Sequence, residues 1–92
     1  MSRNTRVDCR DTGGSWSCSV KVGDDPQATT HEVTVTREEL ARLRPGDATP
    51  DSLVAEAFAF LLAREPRESI LREFDLPVIG RYFPDWEREI AR

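Results

Sequence analysis

Between Trp16 and Val22 the chain alternates apolar and polar residues without a break, and from Arg37 onward the apolar residues recur at helical spacing instead. Trp16, Cys18, Val20 and Val22 point one way, while Ser15, Ser17, Ser19 and Lys21 point the other. A change of period from two to 3.6 constrains the fold more than any other feature here, because the two periods belong to strands and to amphipathic helices. Sheet first and helices afterwards is an α+β arrangement.

The first strand spans about Thr5 to Asp11, with Val7 and Cys9 inward. Gly13-Gly14 is a two-residue hairpin signal, since glycine takes positive φ without cost. The second strand runs from Ser15 to Val22, a turn-forming loop covers Gly23 to Ala28, and the third strand spans Thr29 to Thr36 with His31, Val33 and Val35 on one face. The simplest topology is a three-stranded antiparallel meander. Thr36 to Glu39 reads as a capping box that opens a short helix, ended by Pro45-Gly46. Thr49-Pro50 starts a second helix, about Pro50 to Arg64, apolar around most of its circumference and so buried on more than one side. Pro66 begins a third, with Ile70, Leu71 and Phe74 inward, and a last helix runs from about Pro84 to Arg92 with Trp86 and Ile90 one turn apart. The predicted architecture is a single domain over 1–92, with the meander in 1–36 and three to four helices from 37–92 packed on one sheet face. Met1 to Asn4 reads as a frayed end.

Charge narrows the range of partners. Residues 1–46 carry seven acids and seven bases, whereas 47–92 carry ten acids and six bases, which places the net charge of −4 on the helical half. Non-specific nucleic-acid binding needs clustered cations and is therefore disfavoured. The longest apolar stretch, LVAEAFAFLLA, is too short for a membrane span and is broken by Glu56, so no membrane association is expected. The N-terminal residues lack the apolar core of a secretory signal, which points to the cytoplasm.

The cysteines carry one candidate chemistry. With Gly13-Gly14 as the loop, opposed hairpin residues have numbers adding to 27, so Cys9 faces Cys18 at a non-hydrogen-bonded pair, the closer kind. Two small thiols filling space under the helices is the plainer reading, and a redox-sensitive cross-strand disulfide is the sharper one. His31 is the only histidine. It is expected on the sheet rim near Val22, ~13 Å from Cys18 at strand spacing, too far for shared metal coordination. No catalytic constellation surrounds it, and neither a metal nor another cofactor is expected. Glu56 is the only charge in the core helix between Asp51 and Arg64. It is either a buried or partner-contacting acid or part of a thin solvent-facing stripe with Ser52.

Binding is the function class that the remaining features favour. The segment VIGRYFPDWE groups Tyr82, Phe83 and Trp86 with Arg81 and Asp85. Aromatics and arginine are enriched at interface centres, which makes Tyr82, Trp86, Arg81 and Asp85 candidate partner-binding residues. The competing reading is that Phe83 and Trp86 cap the core. Both outer strands of a meander have open edges, and THEVTVT is the cleaner one. The outer sheet face, with Arg6, Asp8, Arg10, Ser17, Ser19, Lys21, Glu32 and Thr34, reads as solvated.

The C-terminal stretch LVAEAFAFLLAREPRESILREFDLPVIGRYFPDWE resembles a segment shared by small, functionally uncharacterised bacterial proteins. The matching residues are Phe60-Leu61-Leu62, Arg64-Glu65, Glu68 to Leu71, Phe74-Asp75-Leu76 and Tyr82-Phe83-Pro84. This resemblance covers about the last 40 residues and implies a bacterial, cytosolic protein, with no activity to carry over. The expected function is a non-enzymatic interaction module whose partner is another protein or a second copy of the chain, as a homodimer. The alternative is a small-ligand protein or minor enzyme with a pocket between sheet and helices near Cys9, Cys18 and Glu56.

Overall fold

The computed structural model describes residues 5–46 and 49–90. The reading of Met1 to Asn4 as a frayed end, and the last two residues of the final helix, lie outside these. The described residues form an α+β structure of one four-stranded sheet and four α-helices. In chain order the elements are β1 (Thr5–Asp11), β2 (Ser15–Val22), β3 (Thr29–Thr36), α1 (Arg37–Leu43), α2 (Pro50–Leu62), β4 (Glu73–Asp75), α3 (Ile79–Tyr82) and α4 (Trp86–Ile90).

β1, β2 and β3 pair antiparallel in sequence order. The glycine turn sets the first register: Thr12 N donates to Ser15 O across 2.9 Å, Gly13 has φ +110°, and Cys9 lies opposite Cys18. The two cysteines are joined by a disulfide with a Cα–Cα separation of 3.9 Å. Asp11 closes the turn: its carboxylate accepts from Gly13 N at 2.8 Å and pairs with Arg37. The Arg37 guanidinium in turn lies 4.6 Å from the centre of the Trp16 ring.

At the other end, Gly23 has φ +99°, and a Cβ there would fall 2.2 Å from Arg67 Nη1. Its missing side chain lets Arg67 reach Val22 O and the Asp25 carboxylate, at 3.4 and 3.0 Å. The hydrogen bond from Arg67 holds the Asp25 carboxyl below its usual range.

The alternation in β2 and β3 buries Cys18, Val20, Val22, Val33 and Val35 on one face. α2 lies against β1 and β2. It contributes Leu53, Val54, Ala57 and Phe58, all fully buried; burying a Leu, Val or Phe side chain stabilises by about 1.5–3 kcal/mol, and the Ala57 methyl by less. On the opposite face Ser17 and Ser19 both donate to the Glu32 carboxylate. The capping box at the start of α1 is complete, with the Thr36 side chain accepting from Glu39 N and the Glu39 side chain accepting from Thr36 N. Glu56 is neither a fully buried acid nor simply a member of a solvent-facing stripe: its side chain keeps 40% of its exposure. Arg44, 10% exposed, grips its carboxylate through both terminal nitrogens while its Nε donates to Ile90 O at 2.9 Å. One guanidinium thus ties the end of α1 to α2 and α4.

Two expectations are corrected. The sheet has a fourth strand, β4, which pairs parallel to β3 and occupies its edge over Glu32–Thr34, the edge that the sequence marked as the cleaner open one. The helix expected after Pro66 is only a 3-10 turn, Arg67–Ser69, followed by extended chain. Positions four apart share a face in a strand as well as in a helix, so the spacing of Ile70 and Phe74 fits both. The strand wins because Phe74 and Leu76 are buried at alternate positions with Glu73 and Asp75 exposed between and beside them, and because the edge of β3 offers hydrogen bonds: Glu32 N donates to Arg72 O at 2.7 Å. Leu71, expected inward, consequently points out and is 45% exposed.

Two measurements follow from these contacts. Reducing the disulfide, whose cysteines are nine residues apart, should cost about 2–3 kcal/mol of stability through the freed chain entropy, read as a lower urea midpoint. Glu56→Ala should cost about 1–2 kcal/mol in the same assay, because Arg44 stays mostly buried after losing its main partner, whereas Glu56 itself is partly solvated.

Candidate functional site

Beyond the end of α2 the chain is shaped by two prolines. Pro66 precedes the 3-10 turn, and Pro77 sits in a second one, Leu76–Val78, that runs directly into α3. Between them the extended segment is held onto β3. The Nδ1–H of His31 donates to Leu71 O at 2.7 Å, and Nε2 accepts from Thr29 Oγ1 at 2.9 Å. The segment therefore stands away from α2 and α3, and a groove opens between them.

The groove has a volume of about 140 Å³. Leu61, Ile70, Phe74, Ile79 and Phe83 supply apolar surface, and Leu71 and Tyr82 stand at it with 45% and 64% of their surface exposed. Glu65 is the one charged side chain in the lining. Beneath it the aromatic rings stack edge to face: Phe60 meets Phe83 at 5.7 Å and Trp86 at 5.4 Å between centroids. Arg64 lies over the Phe60 ring, 3.7 Å from its centre. A solvent-facing apolar notch with two exposed large side chains is the kind of surface that another molecule covers.

The residues expected to meet a partner separate. Tyr82 lies at the groove. Arg81 and Asp85 are exposed but outside its lining, and Asp85 pairs with Arg88 at 2.7 Å. Trp86 is corrected: at 1% exposure it is a core residue, packed under Phe60, and no partner reaches it in this conformation. Helical geometry explains the difference, since Trp86 and Ile90 are one turn apart and both face the core. Leu71, Phe74 and Ile79 went unmarked as site residues. The available signal was the even spacing of Ile70, Phe74 and Leu76 between two prolines, interrupted at Arg72.

His31 is also corrected. The β2–β3 register places it opposite Val20 rather than near Val22, and it is 1% exposed rather than on the rim. Its ring packs 5.3 Å from that of Phe58. Burial pushes its pKa below 6.5; the bond to Leu71 O opposes this shift, and the nearby Arg72 charge adds to it. Among the described residues no group of three or more His, Cys, Asp or Glu is placed to hold a metal, and no helix is long and apolar enough to cross a membrane.

Comparison with protein-family models, with curated proteins and with solved structures finds no match to this chain.

The buried imidazole gives a pH test of the groove's anchorage. The unfolded chain takes up the proton at a higher pH than the folded one does. Stability is therefore full above pH 6.5 and falls as the pH drops below that value toward the depressed native pKa. Urea midpoints should decline between about pH 7 and about pH 5, where histidine is the side chain that titrates. The decline should flatten in His31→Gln; an unchanged slope in that variant would place the titrating group elsewhere.

Proposed function

We propose that this chain is a non-enzymatic interaction module of a bacterial cytoplasm, and that it captures a short apolar segment of a partner protein in the groove between α2, the Ser69–Phe74 segment and α3. The observation that carries this reading is the exposure of Leu71 and Tyr82 beside an apolar floor. Size supports it over a metabolite site. A volume of about 140 Å³ accommodates an anchoring side chain, whereas small-molecule sites run to roughly 300–1,000 Å³. The lining includes none of Cys9, Cys18 and Glu56, around which the ligand-pocket alternative was built. His31 is a poor candidate for a base, because both ring nitrogens are engaged and burial opposes its charge.

The groove lining combines the apolar Leu61, Ile70, Leu71, Phe74 and Phe83 with Tyr82 and the carboxylate of Glu65. Glu65 suits a partner segment that presents a basic side chain beside its apolar anchor. Disulfides are rare in a reducing cytoplasm, where Cys9 and Cys18 would stand as thiols in the same register. The groove shares no residue with them, so capture is independent of their redox state.

A photo-crosslinking residue at position 82, compared with one at position 19 on the outer sheet face, tests the proposal in cells of the source organism. One discrete protein should be crosslinked from position 82 only. Leu71→Asp, read with the crosslinker kept at position 82, should abolish the product while the circular dichroism spectrum stays unchanged. Equal labelling from both positions, or capture that survives Leu71→Asp, would sink the reading. A small molecule retained by the gently purified protein would favour the ligand alternative.

A further inference from the structure

With β4 on the far edge, β1 is left as the outer strand at the near edge of the sheet. The bond from Thr12 N to Ser15 O sets the phase of the β1–β2 ladder. In an antiparallel ladder the hydrogen-bonded pairs alternate, so Arg6, Asp8 and Arg10 direct their backbone groups to β2, and Thr5, Val7, Cys9 and Asp11 direct theirs outward. No backbone hydrogen bond among the described residues engages those outward groups. Such an edge is a template for another strand.

The side chains choose which strand. Arg6, Asp8 and Arg10 are exposed on the outer face and enter no ion pair among the described residues. Arg6 also lies directly across from Lys21, a like charge. Consider a second copy of β1 added antiparallel about a two-fold axis. If the axis passes through Asp8, Asp8 meets Asp8 and Arg6 meets Arg10, which repel. If it passes through Val7, Arg6 of each chain lies opposite Asp8 of the other, twice over, at the closely spaced non-hydrogen-bonded position. Val7 then meets Val7 on the core side, where it is half-buried at the sheet rim. An axis through Cys9 also pairs opposite charges, Asp8 with Arg10, but sets Val7 against Asp11, which is already held by Arg37.

We infer that β1 is a self-recognition edge. Two copies of the chain join through antiparallel β1 strands about Val7 into one eight-stranded sheet, with reciprocal Arg6–Asp8 pairs selecting the register. This surface is separate from the groove and does not depend on how the groove is used. The paired segment is short, Thr5 to Cys9 of each strand, so the dimer is weak and its population rises with concentration.

Sedimentation equilibrium on the full chain over a wide concentration range tests this. The mass should rise from monomer to dimer. Asp8→Arg turns both contacts into Arg–Arg pairs and should weaken association roughly ten-fold. The double variant Arg6→Asp with Asp8→Arg should restore it. Hydrogen exchange supplies an independent readout: the Val7 and Cys9 amides should gain protection with concentration, while those of Arg6 and Asp8 are protected throughout. A monomer at every concentration, or a dimer indifferent to Asp8→Arg, overturns the proposal. Rescue by Asp8→Arg with Arg10→Asp in place of the first pair overturns the register about Val7. Tyr82→Asp should leave the dimer intact, which separates this result from the fate of the groove.

Discussion

The hydrogen bonds between β3 and the segment before and within β4 are the interaction on which the far half of the molecule depends. The edge of β3 carries backbone groups that β2 cannot satisfy, and buried or half-buried backbone groups must find partners. The chain supplies them with Arg72 O for Glu32 N, and with β4 alongside Val33. The buried His31 adds a side-chain bond to Leu71 O in the same place. Once that segment is held extended, Leu71 must face outward, Phe74 must face the core, and the gap to α2 and α3 becomes the groove. Helix propensity in the stretch after Pro66 is a weaker force than this docking, since intrinsic propensities are worth tenths of a kcal/mol per residue.

A second constraint acts through α2. Its fully buried Leu53, Val54, Ala57 and Phe58 leave little room for charge, yet Glu56 lies in the same helix. The Arg44 guanidinium resolves this by meeting the carboxylate with two parallel hydrogen bonds and Ile90 O with a third. A planar fork suits that geometry where a lysine would not. The result links helices far apart in sequence, and it stabilises them through hydrogen bonding more than through bare charge, because Glu56 remains partly in water.

How much was legible depended on whether a residue's neighbours were local. The hairpin register was, because two glycines and a two-residue loop leave no freedom for pairing; Cys9 opposite Cys18 followed from counting alone. The capping box at Thr36 and Glu39 was legible for the same reason. Tyr82 and Trp86 were not separable in this way, since both are aromatic and four residues apart, and only the path of α3 into α4 puts one in solvent and the other under Phe60. The spacing of Ile70 and Phe74 was ambiguous in principle, because it fits both periods.

By itself, then, the order of residues determined the class and the beginning: three strands with their faces and bounds, the turn between the first two, and a buried helix opened by Thr49 and Pro50. These rest on period, turn chemistry and capping, which act over a few residues. Only the tertiary structure decided that the edge of β3 is filled by β4 while β1 is an outer strand of the sheet, that His31 is buried, that Arg44 finds Glu56, and that Leu71 and Tyr82 stand beside the same groove. Each of those outcomes joins residues separated by many positions. It depends on which of several competing contacts satisfies the most backbone and buries the most apolar surface at once.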